Sequence, residues 1–301
     1  MKALVMTGYG TPDVLSVVET DHPRAAAHEI LVRVAAAAVN PVDLAVRRGD
    51  IPLPVLPAVV GWDVSGTVVD AGSAVTRFRE GDRIVAARSA LAAGAGVTAE
   101  FVALDETLAA HAPAGTPLEH AAALPLAALT AEQALDRLGA GFRGRLLVSG
   151  AAGAVGGHLV RLADLRGWEP AALARHDDAE AVAALGAAEV FSDTGNRPPE
   201  RAFDAVIDAA GTPWTAGTVR DGGRFVSLTP FAVPEAERSV DVEIYGVRTD
   251  GAMLHTLARH VEARRLPLRI AHTLPFEEGP RAHALLEKGG TRGKILLTPA
   301  G

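Results

Sequence analysis

Gly150, Gly153 and Gly156 are spaced G-x-x-G-x-x-G, at a place where such spacing can do chemistry. The apolar run Leu146-Leu147-Val148 before them reads as a buried parallel strand. After them Leu159, Leu162, Ala163 and Leu165 recur at helical spacing. A strand, a glycine-rich turn and a helix bring backbone N–H groups and a positive helix end up to a pyrophosphate. Gly153, Ala154, Val155 and Gly156 would present backbone to it, since bulky side chains there would block its approach. The bland alternative is a tight turn with no ligand, and the spacing departs from the common G-x-G-x-x-G. A second strand and helix follow at the distance a βαβ unit needs, which favours the ligand.

The end of that second strand, Ala171–Ala174, bears on which dinucleotide binds. An acid there would take a ribose 2′-OH, whereas an Arg would pair with a 2′-phosphate. The next residue is Arg175, whose planar donor fork suits a phosphate. This points to NADPH; the alternative is a solvated surface Arg. Ser227, Leu228 and Thr229 close a later strand, where a crevice ligand is expected at the carboxyl ends of a parallel sheet.

The elements around these residues fall into two kinds. Residues 1–110 hold many short strand-like runs punctuated by Gly and Pro, as in a small β-barrel-like domain. From 146 to 229 apolar strands alternate with helices, which argues a doubly wound parallel sheet. Between them, 117–138 reads as two helical stretches with Pro125 as a break. Val240–Arg248 reads as a further strand, Asp250–Arg264 as a helix, and Gly293–Leu297 as a last strand returning to the first domain. The interval 212–221 is short for a crossover helix. Across 301 residues there is no cysteine, hence no disulfide or thiolate metal site, and the net charge of −7 argues against nucleic-acid or anionic-membrane partners. No run approaches about 18 uncharged apolar residues, and the first ten residues are broken too early by Gly to be a signal peptide. A soluble cytoplasmic protein is the expectation.

Several motifs in order resemble the zinc-independent quinone oxidoreductases of the medium-chain dehydrogenase/reductase superfamily. They are Asn40-Pro41-Val42-Asp43, Gly61-Trp62-Asp63-Val64-Ser65-Gly66, Gly81-Asp82, Ala123-Leu124-Pro125-Leu126 with Leu129-Thr130-Ala131, the 150–156 turn, Gly222-Gly223-Arg224 and Arg292-Gly293-Lys294. The resemblance implies an α/β chain: a GroES-like β-rich catalytic domain (1–116 and 258–301) with a Rossmann domain (117–257) inserted, and NADPH between them. It implies hydride transfer to a quinone or an α,β-unsaturated carbonyl without a metal.

By the same resemblance Thr130 bonds the nicotinamide carboxamide, unless it is a helix Thr bonding its own backbone. Ala209-Ala210-Gly211 passes close to the nicotinamide ribose. Arg292 and Lys294 close over the cofactor, or are plain surface charges. Asp178 and Asp193 fall where relatives often carry Lys and Tyr, and either acid would repel a 2′-phosphate if it pointed inward. Asn40 and Asp43 lie near hydride transfer, with helix capping as the alternative; Asn40 is the better substrate contact. Trp62 walls the substrate pocket or packs a domain. Arg88 is the main polar residue of the pocket-lining loop 86–97. Many relatives carry a Tyr at the position of Ala45, so no side chain is an obvious general acid. Related zinc enzymes use Cys and a His-Glu pair where this chain has Pro41-Val42 and Trp62-Asp63, which disfavours a metal. A pathway-specific enoyl reductase and a non-catalytic NADPH-binding protein stay open as alternatives. The 240–248 strand is expected to pair with its copy in a homodimer.

Overall fold

The computed structural model describes residues 1–89, 96–139, 143–192, 194–230 and 232–299. It divides into two compact units, Met1–Leu126 with Thr249–Gly301, and Ala127–Arg248.

In chain order the first unit holds β1 (Lys2–Met6), β2 (Leu15–Glu19), β3 (Glu29–Val39), α1 (Pro41–Arg48), β4 (Ala58–Val59), β5 (Asp63–Ala71), β6 (Arg83–Ala87), β7 (Phe101–Asp105), β8 (Ala109–His111), α2 (Leu118–Ala121) and the first turn of α3 (Pro125–Arg137). The second unit holds the rest of α3, then β9 (Arg145–Ser149), α4 (Ala154–Leu165), β10 (Glu169–Leu173), α5 (Ala179–Ala183), β11 (Glu189–Phe191), β12 (Phe203–Asp208), β13 (Val219–Ser227) and β14 (Asp241–Ile244). The chain then returns to the first unit through α6 (Gly251–Glu262), β15 (Ile270–Pro275), α7 (Gly279–Lys288) and β16 (Lys294–Thr298).

The first unit is the expected β-rich one. Its larger sheet runs β15-β16-β3-β5-β6-β8, with β7 also on β3, and a small sheet runs β2-β1-β4. The expected return of the last strand is observed: β16 pairs antiparallel with the end of β3, Leu296 opposite Ala38. Ile295, Leu296 and Leu297 are fully buried, so this strand is core and not a loose tail. Leu4, Met6, Ile30, Val32, Ile84, Leu104 and Phe276 belong to one apolar cluster.

The division between units lies inside the 117–257 range expected for the inserted domain. Its helical ends pack on the β-rich unit. α2 lies on β3, β5 and β16, and Ala36, Ala38, Ala122, Ala123 and Leu296 form one buried cluster. α6 lies on β8. A Cβ on Gly251 would meet the Thr107 carbonyl at 2.4 Å, so only glycine permits that approach. Helical periodicity shows which face is apolar, but not which sheet covers it. The break expected at Pro125 falls at residues 122–124, just before it: Pro125 is the first residue of α3, where its missing N–H costs nothing.

The second unit is a six-stranded sheet, β11-β10-β9-β12-β13-β14, with every pairing parallel. Chain order reverses on either side of β9, and in such sheets ligands bind at that reversal, beyond the carboxyl ends of the strands. Phe203, Phe225 and Leu147 fill the core. The connection from β12 to β13 is short, as expected. A single 3-10 helix, Pro213–Thr218, replaces a crossover α-helix. β14 is shorter than the 240–248 strand expected. The Tyr245 N–H still donates to the Ser227 carbonyl of β13 at 2.9 Å, and Gln133 of α3 holds the chain after Ile244, its Oε1 accepting from the Tyr245 hydroxyl and, at 3.0 Å, from the Arg248 N–H. Its Nε2 donates to the Arg248 carbonyl at 2.8 Å.

Candidate functional site

The glycine turn is built as a cradle. Gly150 follows β9 with φ +63°, a left-handed conformation that side chains resist. Its carbonyl accepts the Gly153 N–H at 2.9 Å, closing the turn. A Cβ on Gly156 would lie 2.2 Å from that same carbonyl oxygen, so the third glycine lets the helix sit against the turn. Gly153 is the N-cap of α4. The amides of Ala154, Val155 and Gly156 are those an α-helix leaves without intrahelical acceptors, and they lie at its positive end.

Asp208, fully buried at the end of β12, ties the neighbouring loop to this cradle. It accepts from the Ser149 hydroxyl, from Ala210 N–H at 3.1 Å, and from Thr212 through its N–H at 2.7 Å and its hydroxyl at 2.9 Å. Ser149 Oγ in turn accepts the Ala209 N–H at 3.1 Å. A Cβ on Gly150 would reach the Ala210 methyl at 3.0 Å. Gly211 has φ +71° and faces Thr229, while Leu228 N–H donates to the Asp208 carbonyl at 2.9 Å. Gly150, Gly153, Gly156, Ala210, Gly211, Leu228 and Thr229, named separately from the sequence, therefore come together around three adjacent strand ends. The sequence reading gave Asp208 no role, although a lone carboxylate closing the apolar run Ala205-Val206-Ile207 was its signal: a buried acid must find donors.

Arg175 is exposed just beyond β10, next to β9. Asp178 is buried at 5% exposure at the N-cap of α5. Asp193 lies outside the described residues. Thr130 is half-buried in α3, and Arg292 is exposed before β16.

A second polar group lies inside the first unit. Lys294, at the start of β16, donates to Asp63 Oδ2 at 2.7 Å and to Asn40 Oδ1. Asn40 Nδ2 donates to the same Asp63 oxygen at 2.9 Å and to the Ala38 carbonyl at 3.2 Å. Asp63 Oδ1 accepts the Leu126 N–H at 2.6 Å, in the first turn of α3. Lys294 is 5% exposed and Asp63 0%. Lys294, expected to close over a cofactor, is thus held in a buried ion pair. Asp63 organises the group, and it too had no assigned role in the sequence.

Capping divides Asn40 and Asp43. The Asp43 carboxylate reaches back to the Asn40 N–H at 2.8 Å, the return half of a capping box. The Asn40 side chain instead turns to Asp63, Lys294 and Ala38. Burial pushes the Asp43 carboxyl up to about 7, against the opposing pull of the Asn40 N–H and Lys294. A carboxyl raised in the fold stabilises below its unfolded value and loses that contribution as pH rises through its folded value. Unfolding free energy should therefore carry a fall between pH 3.8 and about 7 from this group. Asp43→Asn should flatten that part of the profile in denaturant titrations at several pH values. An unaltered slope would show that the carboxyl is ionised throughout.

Arg88, expected in the substrate pocket, spends its guanidinium on the fold. Nη1 donates to the Ala103 carbonyl at 2.7 Å and Nη2 to the Gly96 carbonyl at 2.6 Å. Residues 90–95 of the loop it was assigned to lie outside the described residues. Trp62 is buried at 6% exposure.

Against known proteins, residues 26–114 match the alcohol dehydrogenase GroES-like domain and residues 185–297 match the zinc-binding dehydrogenase domain. A quinone-oxidoreductase homolog of spinach chloroplasts (Spinacia oleracea) is 35% identical over 99% of this chain and 98% of its own. The chain belongs to the quinone oxidoreductase family of the medium-chain dehydrogenase/reductase superfamily. An NADPH-dependent alkenal/one oxidoreductase from Arabidopsis thaliana is 33% identical over 99% of this chain and 80% of its own. The quinone oxidoreductase of Coxiella burnetii superposes with a TM-score of 0.90 at 26% identity, covering 100% of this chain and 99% of that one.

As a family member this chain is an oxidoreductase of GroES-like plus Rossmann architecture that uses NADPH. The cradle fits the cofactor: any side chain at 156 would strike the Gly150 carbonyl and displace the free amides that open α4. The zinc implied by the second domain's description is not matched by donors. The chain has no cysteine. Among the described residues no group of three or more His, Asp or Glu is placed to hold a metal. Asp63 already faces the Lys294 ammonium.

Proposed function

We propose that this oxidoreductase uses NADPH to reduce a quinone or an α,β-unsaturated carbonyl, without a bound metal. The observation that carries the reading is the convergence of the glycine cradle, the Asp208-tied loop and the end of β13 at the reversal point of a parallel sheet. The relatives named for quinones and for alkenals supply the acceptor class.

NADPH supplies a hydride when bound. The amides of Ala154–Gly156 hold its pyrophosphate, and Arg175 pairs with the 2′-phosphate. Ala210, Gly211, Leu228 and Thr229 give its nicotinamide half a wall of small groups and backbone. Thr130 orients the carboxamide. On the acceptor side we place Trp62; the side chain of Asn40 is taken up by Asp63, Ala38 and Lys294 and acts on the substrate only by supporting the segment that carries Trp62. The proton comes from solvent, so the protein's contribution is to bind, orient and desolvate.

Following NADPH absorbance with a panel of quinones and enones tests the reading. Tight NADPH binding with no turnover of any acceptor would leave a cofactor-binding protein instead. Arg175→Ala should cost roughly 10-fold or more in NADPH affinity, as loss of a charge-assisted phosphate contact does, while NADH affinity stays put. An unchanged NADPH:NADH ratio would remove Arg175 from the site. We also read β14 as a dimer edge: it ends the sheet order and Ile244 is 52% exposed there. Light scattering should give twice the 31.1 kDa chain mass; a monomer at micromolar concentration counts against the pairing.

A further inference from the structure

We propose that the indole N–H of Trp62 is the donor that receives the carbonyl oxygen of the acceptor. The inference rests on the function proposed above and adds to it one hydrogen bond and one substrate requirement, a carbonyl group.

Trp62 is 6% exposed, and among the described residues its buried Nε1 has no hydrogen-bond partner. Buried donors in folded proteins are nearly always paired, because desolvating one without an acceptor is costly. Arg47, Arg88, Ser65 and His283 also have a buried polar atom without a partner among the described residues, but each has another way to be satisfied. Arg47 leaves only Nε idle, with Nη1 on the Gly10 carbonyl and Nη2 on Glu287, both at 2.9 Å. Arg88 likewise has both Nη atoms engaged. The Ser65 hydroxyl can rotate to suit a neighbour. His283 is held neutral, burial pushing it down to about 3, so one ring nitrogen needs no acceptor. An indole has a single polar group, which can only donate along one fixed direction. All of the polar capacity of Trp62 is unmet.

The backbone that carries the indole is closely held. The Trp62 carbonyl accepts the Arg88 N–H at 2.9 Å. Gly61 has φ +98°, and a Cβ there would lie 2.2 Å from Thr98 Oγ1, so the chain passes where only glycine fits. The next residue, Asp63, is fixed by Lys294, Asn40 and Leu126. A donor set on so constrained a segment is preorganised, and such donors act most strongly on charge that develops during reaction.

The chemistry uses that charge. In conjugate reduction a hydride, with its electron pair, joins the β-carbon of the acceptor. The C=C pair shifts to form the new C=C–O⁻ system, and the former carbonyl pair moves onto oxygen. Water then protonates the α-carbon; for a quinone it protonates the oxygen, and the ring carbon that took the hydride loses a proton to water as the second carbonyl oxygen gains one, which gives the hydroquinone. The oxygen gains negative charge throughout the first step, so an N–H aimed at it favours the transition state over the ground state.

The protein has three tryptophans, 62, 168 and 214, so its indole N–H spectrum is short. In ¹⁵N–¹H correlation spectra of protein loaded with NADP⁺, the Trp62 resonance is the one lost in Trp62→Phe. Cyclohexanone, a carbonyl with no conjugated double bond to reduce, is the probe. The Trp62 indole proton should move downfield saturably while the Trp168 and Trp214 protons stay. Replacing the Trp62 indole by the isosteric benzothiophene, which keeps the ring volume and removes only the N–H, should lower kcat/KM for enones roughly 10- to 100-fold with NADP⁺ affinity unchanged. A Trp62 resonance unmoved up to the solubility of cyclohexanone, or a benzothiophene variant with wild-type kcat/KM, would overturn the proposal. Wild-type protein that turns over neither quinones nor enones would instead defeat the proposed function, and the spectra alone would then decide on Trp62.

Discussion

Lys294→Met is expected to destabilise the protein by about 3–5 kcal/mol, the usual cost of breaking a buried pair from one side. The substitution leaves the Asp63 carboxylate at 0% exposure with only the Asn40 Nδ2 and Leu126 N–H donors to face it. The double variant Asp63→Asn with Lys294→Met should recover a large part of the loss, because no charge is then stranded. Denaturant unfolding of the two singles and the double gives the coupling directly. A single-variant loss below about 1 kcal/mol would place the pair in the class of solvated surface bridges and remove the explanation of Asn40's fixed orientation.

The second large effect is expected at Gly156. In Gly156→Ala the new methyl would sit 2.2 Å from the Gly150 oxygen and 2.7 Å from its carbon. Those are backbone atoms closing a turn, so the strain must move the turn or the start of α4. A destabilisation of about 1–3 kcal/mol follows from overpacking of this kind, with a larger proportional loss of NADPH affinity, since the displaced amides are the ones proposed to hold phosphate. Gly153→Ala is the informative comparison. Its nearest atom is 3.2 Å away, so a few tenths of an ångström suffice and the fold should persist. Gly217→Ala, with nothing within 4 Å, should be near neutral. Calorimetric titration with NADPH on all three orders them; equal affinities for Gly156→Ala and wild type would mean that the turn is not the phosphate site.

Much of the second unit was legible because its information is local. The run Leu146–Val148, the glycines behind it and the helical spacing of Leu159 and Leu162 lie within one βαβ unit, and each constraint is steric. The shortened interval 212–221 was legible only from the resemblance, since relatives carry a longer stretch there. The polar hubs were not. Asp63 gathers residues 40, 126 and 294, and Asp208 gathers 149, 210 and 212; nothing in the spacing of either acid states which donors will face it. Arg88 shows the reverse case, a distinctive side chain in a plain loop that the fold uses up on two carbonyls.

By itself, then, the sequence determined the class of the two units, the glycine turn between β9 and α4 and the return of the last strand, because periodicity, glycine sterics and apolar runs act over a few residues. Only the tertiary structure decided that Lys294 stands against Asp63 inside the first unit, that α2 and α6 belong to the β-rich unit, and that Asn40's side chain leaves its helix cap. Those outcomes depend on which buried charge can find a partner and which sheet covers an apolar face, and both are settled between residues far apart in the chain.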